Sequence, residues 1–106
     1  MQKIIDGKIY DTNNAYLINT FRETCFGFLS CDTYYEKIYL TKDDNSFFLY
    51  TYNSGGVLLF FDIIESIKPL TYEEAIKYLK GKCSSNKLRK ILIYLNNKKG
   101  DSENGN

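Results

Sequence analysis

The chain has 106 residues, with 14 Lys and Arg against 13 Asp and Glu and no histidine, so its formal net charge is +1. The charge is unevenly spread, because residues 1–75 hold six basic and eleven acidic side chains and residues 76–106 hold eight basic and two acidic ones. Without an imidazole the chain lacks the usual near-neutral acid or base and the commonest metal ligand. We therefore expect no enzyme, no cofactor and no metal site.

The cysteines and the apolar runs predict a cytoplasmic protein, in the cytoplasm of the cell that expresses it. Cys25, Cys31 and Cys83 form an odd set without CxxC spacing, which a reducing compartment keeps as thiols. The N-terminus has no apolar segment of signal-peptide length, and the longest apolar run, residues 57–61, is too short to cross a bilayer. The abundance of Lys, Ile, Asn, Tyr and Phe follows AT-rich codons and indicates a low-GC bacterium or one of its phages or mobile elements.

The first third of the chain predicts a hairpin followed by a helix. Asp6-Gly7 is a two-residue turn sequence between short β-prone pairs. Asp11 or Thr12 is then placed to cap a short helix. Residues 24–33 fit either a strand or a loop.

The centre of the chain predicts an antiparallel sheet. Three runs of β-branched and aromatic residues read as strands: residues 34–41, 46–52 and 57–64. Residues 42–45 and 53–56 are turn sequences, and connections this short join antiparallel neighbours. Pro69 marks a boundary after the third strand. The pattern therefore predicts a three-stranded meander.

Two helices are predicted at the C-terminal end. Thr71 and Glu74 have the spacing of a capping box, and Gly81 is a plausible stop for the helix that begins there. A last, basic helix is predicted over residues 84–97 from apolar residues at helical spacing. The expected fold is α+β, with a short N-terminal hairpin and helix, the meander and these two helices in one domain over residues 1–97. Residues 98–106 are expected to form a flexible tail.

Several segments in order resemble a known group of proteins. They are Gly7-Lys8-Ile9-Tyr10-Asp11-Thr12 with Ala15, residues 34–42 followed by Phe47-Phe48-Leu49, Gly55-Gly56, and residues 67–75 with Leu79. Together they resemble small proteins carried by phages and integrative elements of low-GC bacteria, with the pattern NGKxYDTxTA, EETLYxTKxGxFFLxxxGG and IIPLSxEEAxxWL over residues 3–80. Such proteins occur beside anti-defence genes and are similar to anti-CRISPRs. The resemblance implies an inhibitor of a host CRISPR-Cas effector that acts by binding, without catalysis.

The aromatic residues of the predicted sheet cluster on one of its two faces. Tyr35, Tyr39, Tyr50 and Tyr52 are expected on the same side as Phe48, while the other face is also apolar. Antiparallel sheets usually hide one face only, so this aromatic face is expected to meet a partner or a second copy of the chain. The alternative is that the C-terminal helix covers it, with Phe48 as the best candidate for a core residue.

The last helix offers a second candidate surface. Arg89, Lys90 and Tyr94 lie on the side away from its apolar residues. A basic face that includes an aromatic ring suits a phosphate backbone or an acidic protein groove, although such a face is often only solvated. The leading hypothesis is therefore a steric inhibitor of a CRISPR-Cas effector complex. The alternative is a small nucleic-acid-binding regulator that uses this helix, and no membrane partner is expected.

Overall fold

The computed structural model describes residues 1–27, 30–57 and 60–104. In chain order the elements are β1 Gln2–Ile5, β2 Lys8–Asp11, β3 Ala15–Gly27, β4 Ser30–Thr41, β5 Phe47–Val57, β6 Phe60–Leu70, α1 Tyr72–Lys82 and α2 Ser85–Asn104. β1 and β2 form a two-stranded hairpin, and the other strands form an antiparallel sheet in the order β3-β4-β5-β6. The protein is therefore α+β, and the chain divides into two compact units, Met1–Leu70 and Thr71–Asn106. The single domain expected over residues 1–97 stays a prediction.

The N-terminal hairpin forms where the sequence predicts it. Asp6 and Gly7 both have positive φ, 52° and 79°, which is the backbone that a tight two-residue hairpin turn requires. The antiparallel register then places Ile4 opposite Ile9. The two turn residues, Asp6 and Gly7, are thus enough to predict this hairpin.

The helix predicted after Asp11 is wrong, and so is the three-stranded meander. Asp11 accepts a hydrogen bond from the backbone N–H of Asn13 at 2.9 Å, but it caps only a single 3-10 turn, Thr12–Asn14. The chain then continues as β3, which pairs with β4 and makes the sheet four-stranded. The ladder with β4 satisfies the backbone N–H and C=O groups of these residues. A short helix would satisfy them too, but its apolar residues would not fall on one side.

The sheet is also longer than predicted. Residues 53–56, expected to form a turn, belong to β5, where Gly55 and Gly56 pair with Asp62 and Phe61. The strand predicted over residues 57–64 is wrong as a single element, because Val57 ends β5 and Phe60 begins β6; residues 58 and 59 lie outside the described part. Pro69 does not end β6 either, because β6 is an edge strand and proline is tolerated there.

The hairpin packs on one end of the sheet. Tyr10 of the hairpin joins Tyr39, Phe48 and Ile67 of the sheet in a buried cluster. The Tyr10 ring meets the Phe48 ring edge to face at 5.5 Å between centroids, and the Tyr39 ring stacks on Phe48 at 5.1 Å. Ile38, on the opposite face of the sheet, is also fully buried. The core of the first unit therefore lies at the end of the sheet where the hairpin sits.

A polar cluster ties the hairpin to the β4–β5 turn. Lys8 of β2 forms a salt bridge with Asp44 and donates a hydrogen bond to Ser46 Oγ at 2.7 Å. The Thr41 hydroxyl donates to Asp44 Oδ1 at 2.6 Å. Burial raises the pKa of Asp44, but the hydrogen bonds from Lys8, Thr41 and Ser46 and the charge of Lys8 outweigh it and hold the pKa well below its ordinary value.

The predicted capping box begins the second unit. The Glu74 N–H donates to Thr71 Oγ1 at 3.1 Å, and the Thr71 N–H donates to Glu74 Oε1 at 3.0 Å. Gly81, expected to stop the helix, lies inside α1, which ends where the Cys83 N–H donates to the Leu79 carbonyl at 2.8 Å.

The last helix is longer than predicted. Ser84 Oγ accepts from the Lys87 N–H at 3.3 Å, as expected for a capping serine, but the helical backbone continues past residue 97 to Asn104. Ile91 and Leu95 are its buried apolar residues. The flexibility of residues 98–106 stays a prediction. In the described ranges, no helix is long and apolar enough to cross a membrane.

Candidate partner-binding surface

Three tyrosines and two cations share one face of the sheet. Directly paired residues of antiparallel strands point to the same face, and the register pairs Tyr35 with both Arg22 and Tyr52 and pairs Lys37 with Tyr50. We call the part of the sheet formed by Arg22, Tyr35, Lys37, Tyr50 and Tyr52 the tyrosine face. β4 and β5, which carry its three rings, are the two central strands.

The N-terminal hairpin covers only the neighbouring part of this side of the sheet. Tyr39 and Phe48 lie on the same side, but they are 7% and 0% exposed, so the structure places both in the core. The covering element is the hairpin, which contributes Tyr10 to their cluster. Tyr35 and Tyr52, farther along the strands, remain partly exposed. The aromatic side predicted from sequence is thus part core and part open surface.

Tyr35 is held by contacts on more than one side. Its ring centroid lies 5.2 Å from that of Tyr52, with the two ring planes tilted by 48°. The guanidinium carbon of Arg22 lies 5.0 Å from the Tyr35 centroid, and Lys37 Nζ lies 5.8 Å from it. Cation-π contacts of this kind contribute on the order of 0.5–1 kcal/mol at exposed sites. They restrain the ring, and a side chain that is already restrained loses less entropy in any binding event.

Tyr50 adds a hydroxyl donor to the tyrosine face. Its hydroxyl donates to Glu65 Oε2 at 3.0 Å, from the central strand β5 to the edge strand β6. Burial, this hydrogen bond and the negative charge of Glu65 raise the pKa of Tyr50 to about 12. The Tyr50 hydroxyl therefore remains protonated at neutral pH and stays hydrogen bonded to Glu65.

The opposite side of the sheet is acidic along the same strands. Glu23, Glu36 and Asp62 point there, and the Tyr34 hydroxyl donates to Glu36 Oε1 at 2.5 Å. Burial and Glu36 raise the pKa of Tyr34 to about 12. An open groove of about 430 Å³ on this side is lined by Asn53, Gly55, Asp62 and Ile64. The acidic balance of residues 1–75 is therefore not uniform, because the tyrosine face carries the cations Arg22 and Lys37 with the acid Glu65 on the same side.

This separation of charge has a signal in the sequence. Arg22 precedes Glu23, and Glu36 precedes Lys37. Neighbouring residues of a strand point to opposite faces, so each pair sends its cation to one side and its acid to the other. For Arg22 the signal becomes readable only once residues 15–27 are recognised as a strand, whereas Lys37 lies in the strand that the sequence predicts over residues 34–41. Arg22 and Lys37 are thus candidate binding residues that sequence reasoning missed.

The other predicted contact residues lie in the second unit. Arg89 and Lys90 are exposed on α2. Tyr94, also exposed, has Lys98 Nζ 5.5 Å from its ring centroid. These side chains form a basic and aromatic surface on the last helix, separate in sequence from the tyrosine face.

The described residues of the two surfaces include no cluster of metal ligands. Within residues 1–27, 30–57 and 60–104, no three His, Cys, Asp or Glu side chains lie close enough to hold a metal ion. What the two surfaces offer is aromatic rings, hydroxyl groups and cations for recognition. The chain matches no protein-family model, and no curated protein and no solved structure matches it. The resemblance to phage and mobile-element proteins therefore stays a prediction from the sequence motifs.

Proposed function

We propose that the protein is an anti-CRISPR-like inhibitor that binds a bacterial CRISPR-Cas effector complex with its tyrosine face and blocks it sterically, without catalysis. The observation that carries the binding part of the proposal is the Arg22–Tyr35–Tyr52 cluster, which is partly exposed and already packed. The effector as partner rests on the sequence motifs shared with mobile-element proteins.

The chemistry of the tyrosine face favours a protein partner. Tyrosine and arginine are enriched among the residues that carry most of the binding energy at protein interfaces. Sequence-tolerant nucleic-acid binding on a sheet uses ring faces on which bases stack, whereas Tyr35 already has Arg22 over its ring and Tyr52 beside it. A partner surface with carboxylates would complement Arg22 and Lys37.

The proposal is tested with purified effector complexes from CRISPR-bearing hosts of the low-GC group. The immobilised protein is used to capture the effector complexes. In a second assay, cleavage of target nucleic acid by the effector is measured at increasing concentrations of the protein. The double variant Tyr35→Ala/Tyr52→Ala should lose both capture and inhibition. The matched control is Tyr34→Ala, because Tyr34 neighbours Tyr35 on the same strand but points to the other face. No captured effector and no inhibition across effector types would end the proposal.

A second candidate function is a small nucleic-acid-binding regulator that works through α2. It is supported by the exposure of Arg89, Lys90 and Tyr94. Binding through phosphate contacts weakens steeply with salt, so labelled DNA and RNA are titrated at about 50 and 200 mM salt. Arg89→Ala/Lys90→Ala should weaken binding at both concentrations and reduce the salt dependence. Absence of binding at the lower salt concentration removes this candidate.

A further inference from the structure

The outer edge of β6 has the properties of a strand that pairs with another chain. β6 is the last strand of the sheet and is matched to β5 without a register shift, from Phe47 opposite Leu70 to Val57 opposite Phe60. Ile63 and Ile64 are 60% and 65% exposed. Because they are consecutive, they expose apolar surface on both faces of this edge. A long, regular edge with exposed apolar residues is a template for strand addition.

The other edge of the sheet is built differently. β3 has a register shift between Leu17 and Asn19 where it pairs with β4, which interrupts a regular ladder. Farther along the strand it carries the consecutive charges Arg22 and Glu23. Bulges and edge charges are features with which proteins discourage strand addition. β6 also carries charges and a proline, Asp62, Glu65, Lys68 and Pro69, so charge does not distinguish the two edges. What distinguishes β6 is its unbroken register and its two adjacent exposed isoleucines.

We propose that β6 pairs antiparallel with β6 of a second copy of the chain, around a two-fold axis at Glu65, and joins two four-stranded sheets into one of eight strands. Residues that pair directly must share a face, so a two-fold axis perpendicular to the sheet passes midway between one residue and its own copy in the partner strand. With the axis at Glu65, Asp62 faces the partner's Lys68 and the partner's Asp62 faces Lys68. Both side chains are exposed.

The same register gives each exposed isoleucine a neighbour in the partner strand. It places Ile64 opposite the partner's Ser66 on one face, and it places Ile63 on the other face opposite the partner's Ile67, which is 4% exposed in its own chain. One unfavourable contact remains, because the two Glu65 side chains face each other, and like charges directly opposite destabilise a strand pair. Two attractive charge pairs therefore oppose one repulsive pair, and the repulsive one can be removed by mutation.

The pairing has a geometric consequence for the tyrosine face. A two-fold axis perpendicular to the sheet keeps each face on its own side, so both tyrosine faces of the dimer point in the same direction. A dimer of this kind presents two identical contact surfaces to one side. This consequence depends on the proposed function, whereas the dimer itself does not.

The oligomeric state is measured by sedimentation over about 1–200 μM protein, without any effector present. The wild-type chain should be dimeric. Ile64→Lys should raise the dissociation constant at least about tenfold, because a lysine on the edge must be desolvated when a strand pairs there. The matched control is Leu17→Lys, since Leu17 is a 50% exposed aliphatic residue on the opposite edge and should leave the dimer unchanged. Circular dichroism checks that each variant is folded.

Two further variants test the register. Glu65→Gln removes the like-charge contact and should tighten the dimer several-fold. Glu65→Cys, in a chain whose three native cysteines are replaced by serine, should form an intermolecular disulfide, because opposed residues have Cβ atoms about 4.5–5.5 Å apart. A monomer throughout the concentration range overturns the proposal. So does a dimer that is indifferent to Ile64→Lys, or one in which Glu65→Cys does not cross-link.

Discussion

Phe48→Ala should cause the largest loss of stability among single substitutions in the first unit. Phe48 is 0% exposed and its ring contacts both Tyr10 and Tyr39. Truncating a buried phenylalanine costs about 3–5 kcal/mol from lost burial and the cavity left behind. The full burial and the two ring contacts place this case near the upper end, about 4 kcal/mol. Domains of this size have stabilities of about 5–15 kcal/mol, so the variant loses a quarter or more of the total.

Urea denaturation followed by circular dichroism measures this loss. With a urea dependence of about 2 kcal/mol per molar, the midpoint should fall by about 2 M. Ile93→Ala is the control, because Ile93 is exposed on α2 and its truncation should change stability by no more than about 0.5 kcal/mol. A loss below about 1 kcal/mol for Phe48→Ala would refute the argument that the hairpin and sheet share one tightly packed core.

Three further predictions concern local features. Asp44→Asn should lower stability at neutral pH by about 1 kcal/mol or less, since the carboxylate is half exposed. Because folding lowers the pKa of Asp44, the wild type should lose this contribution progressively as the pH falls from about 4 through the lowered pKa of the folded state. The difference in melting temperature between the wild type and Asp44→Asn should therefore be smaller at pH 3 than at pH 7. Gly7→Ala should destabilise the protein by about 1 kcal/mol because of its φ of 79°, whereas Gly81→Ala inside α1 should stabilise it by about 0.5–1 kcal/mol. Neither added Cβ meets an atom within 4 Å, so the two variants differ in the backbone effect alone. Their urea midpoints should shift in opposite directions, and shifts of the same sign would contradict the prediction. Thr71→Ala should cost about 1 kcal/mol by removing the capping box, read as a lower melting temperature, and an unchanged value would show that the cap contributes nothing.

Elements defined by local chemistry could be predicted from the sequence. The hairpin follows from the Asp6-Gly7 turn, and the start of α1 follows from Thr71 and Glu74, because in each case neighbouring residues satisfy the backbone. The shared side of Tyr35, Tyr50 and Tyr52 also follows from strand periodicity.

Elements defined by distant pairing could not be predicted in this way. Residues 15–27 have no strong turn or cap of their own after Asn14, and their strand conformation depends on the ladder with β4. That error hid Arg22 on the tyrosine face. The burial of Tyr39 was hidden for a similar reason, since it depends on Tyr10 packing from the hairpin, which residue spacing does not reveal.

The most direct test of the proposed function is the affinity of the protein for a captured effector complex, compared between two adjacent substitutions. Tyr35→Ala removes the ring held by Arg22 and Tyr52, and loss of a central interface tyrosine costs about 2 kcal/mol or more, or roughly 30-fold in Kd. Tyr34→Ala removes a ring on the other face. The proposal predicts a loss of about 30-fold for Tyr35→Ala and less than about threefold for Tyr34→Ala. Equal losses for both variants, or a larger loss for Tyr34→Ala, would contradict it.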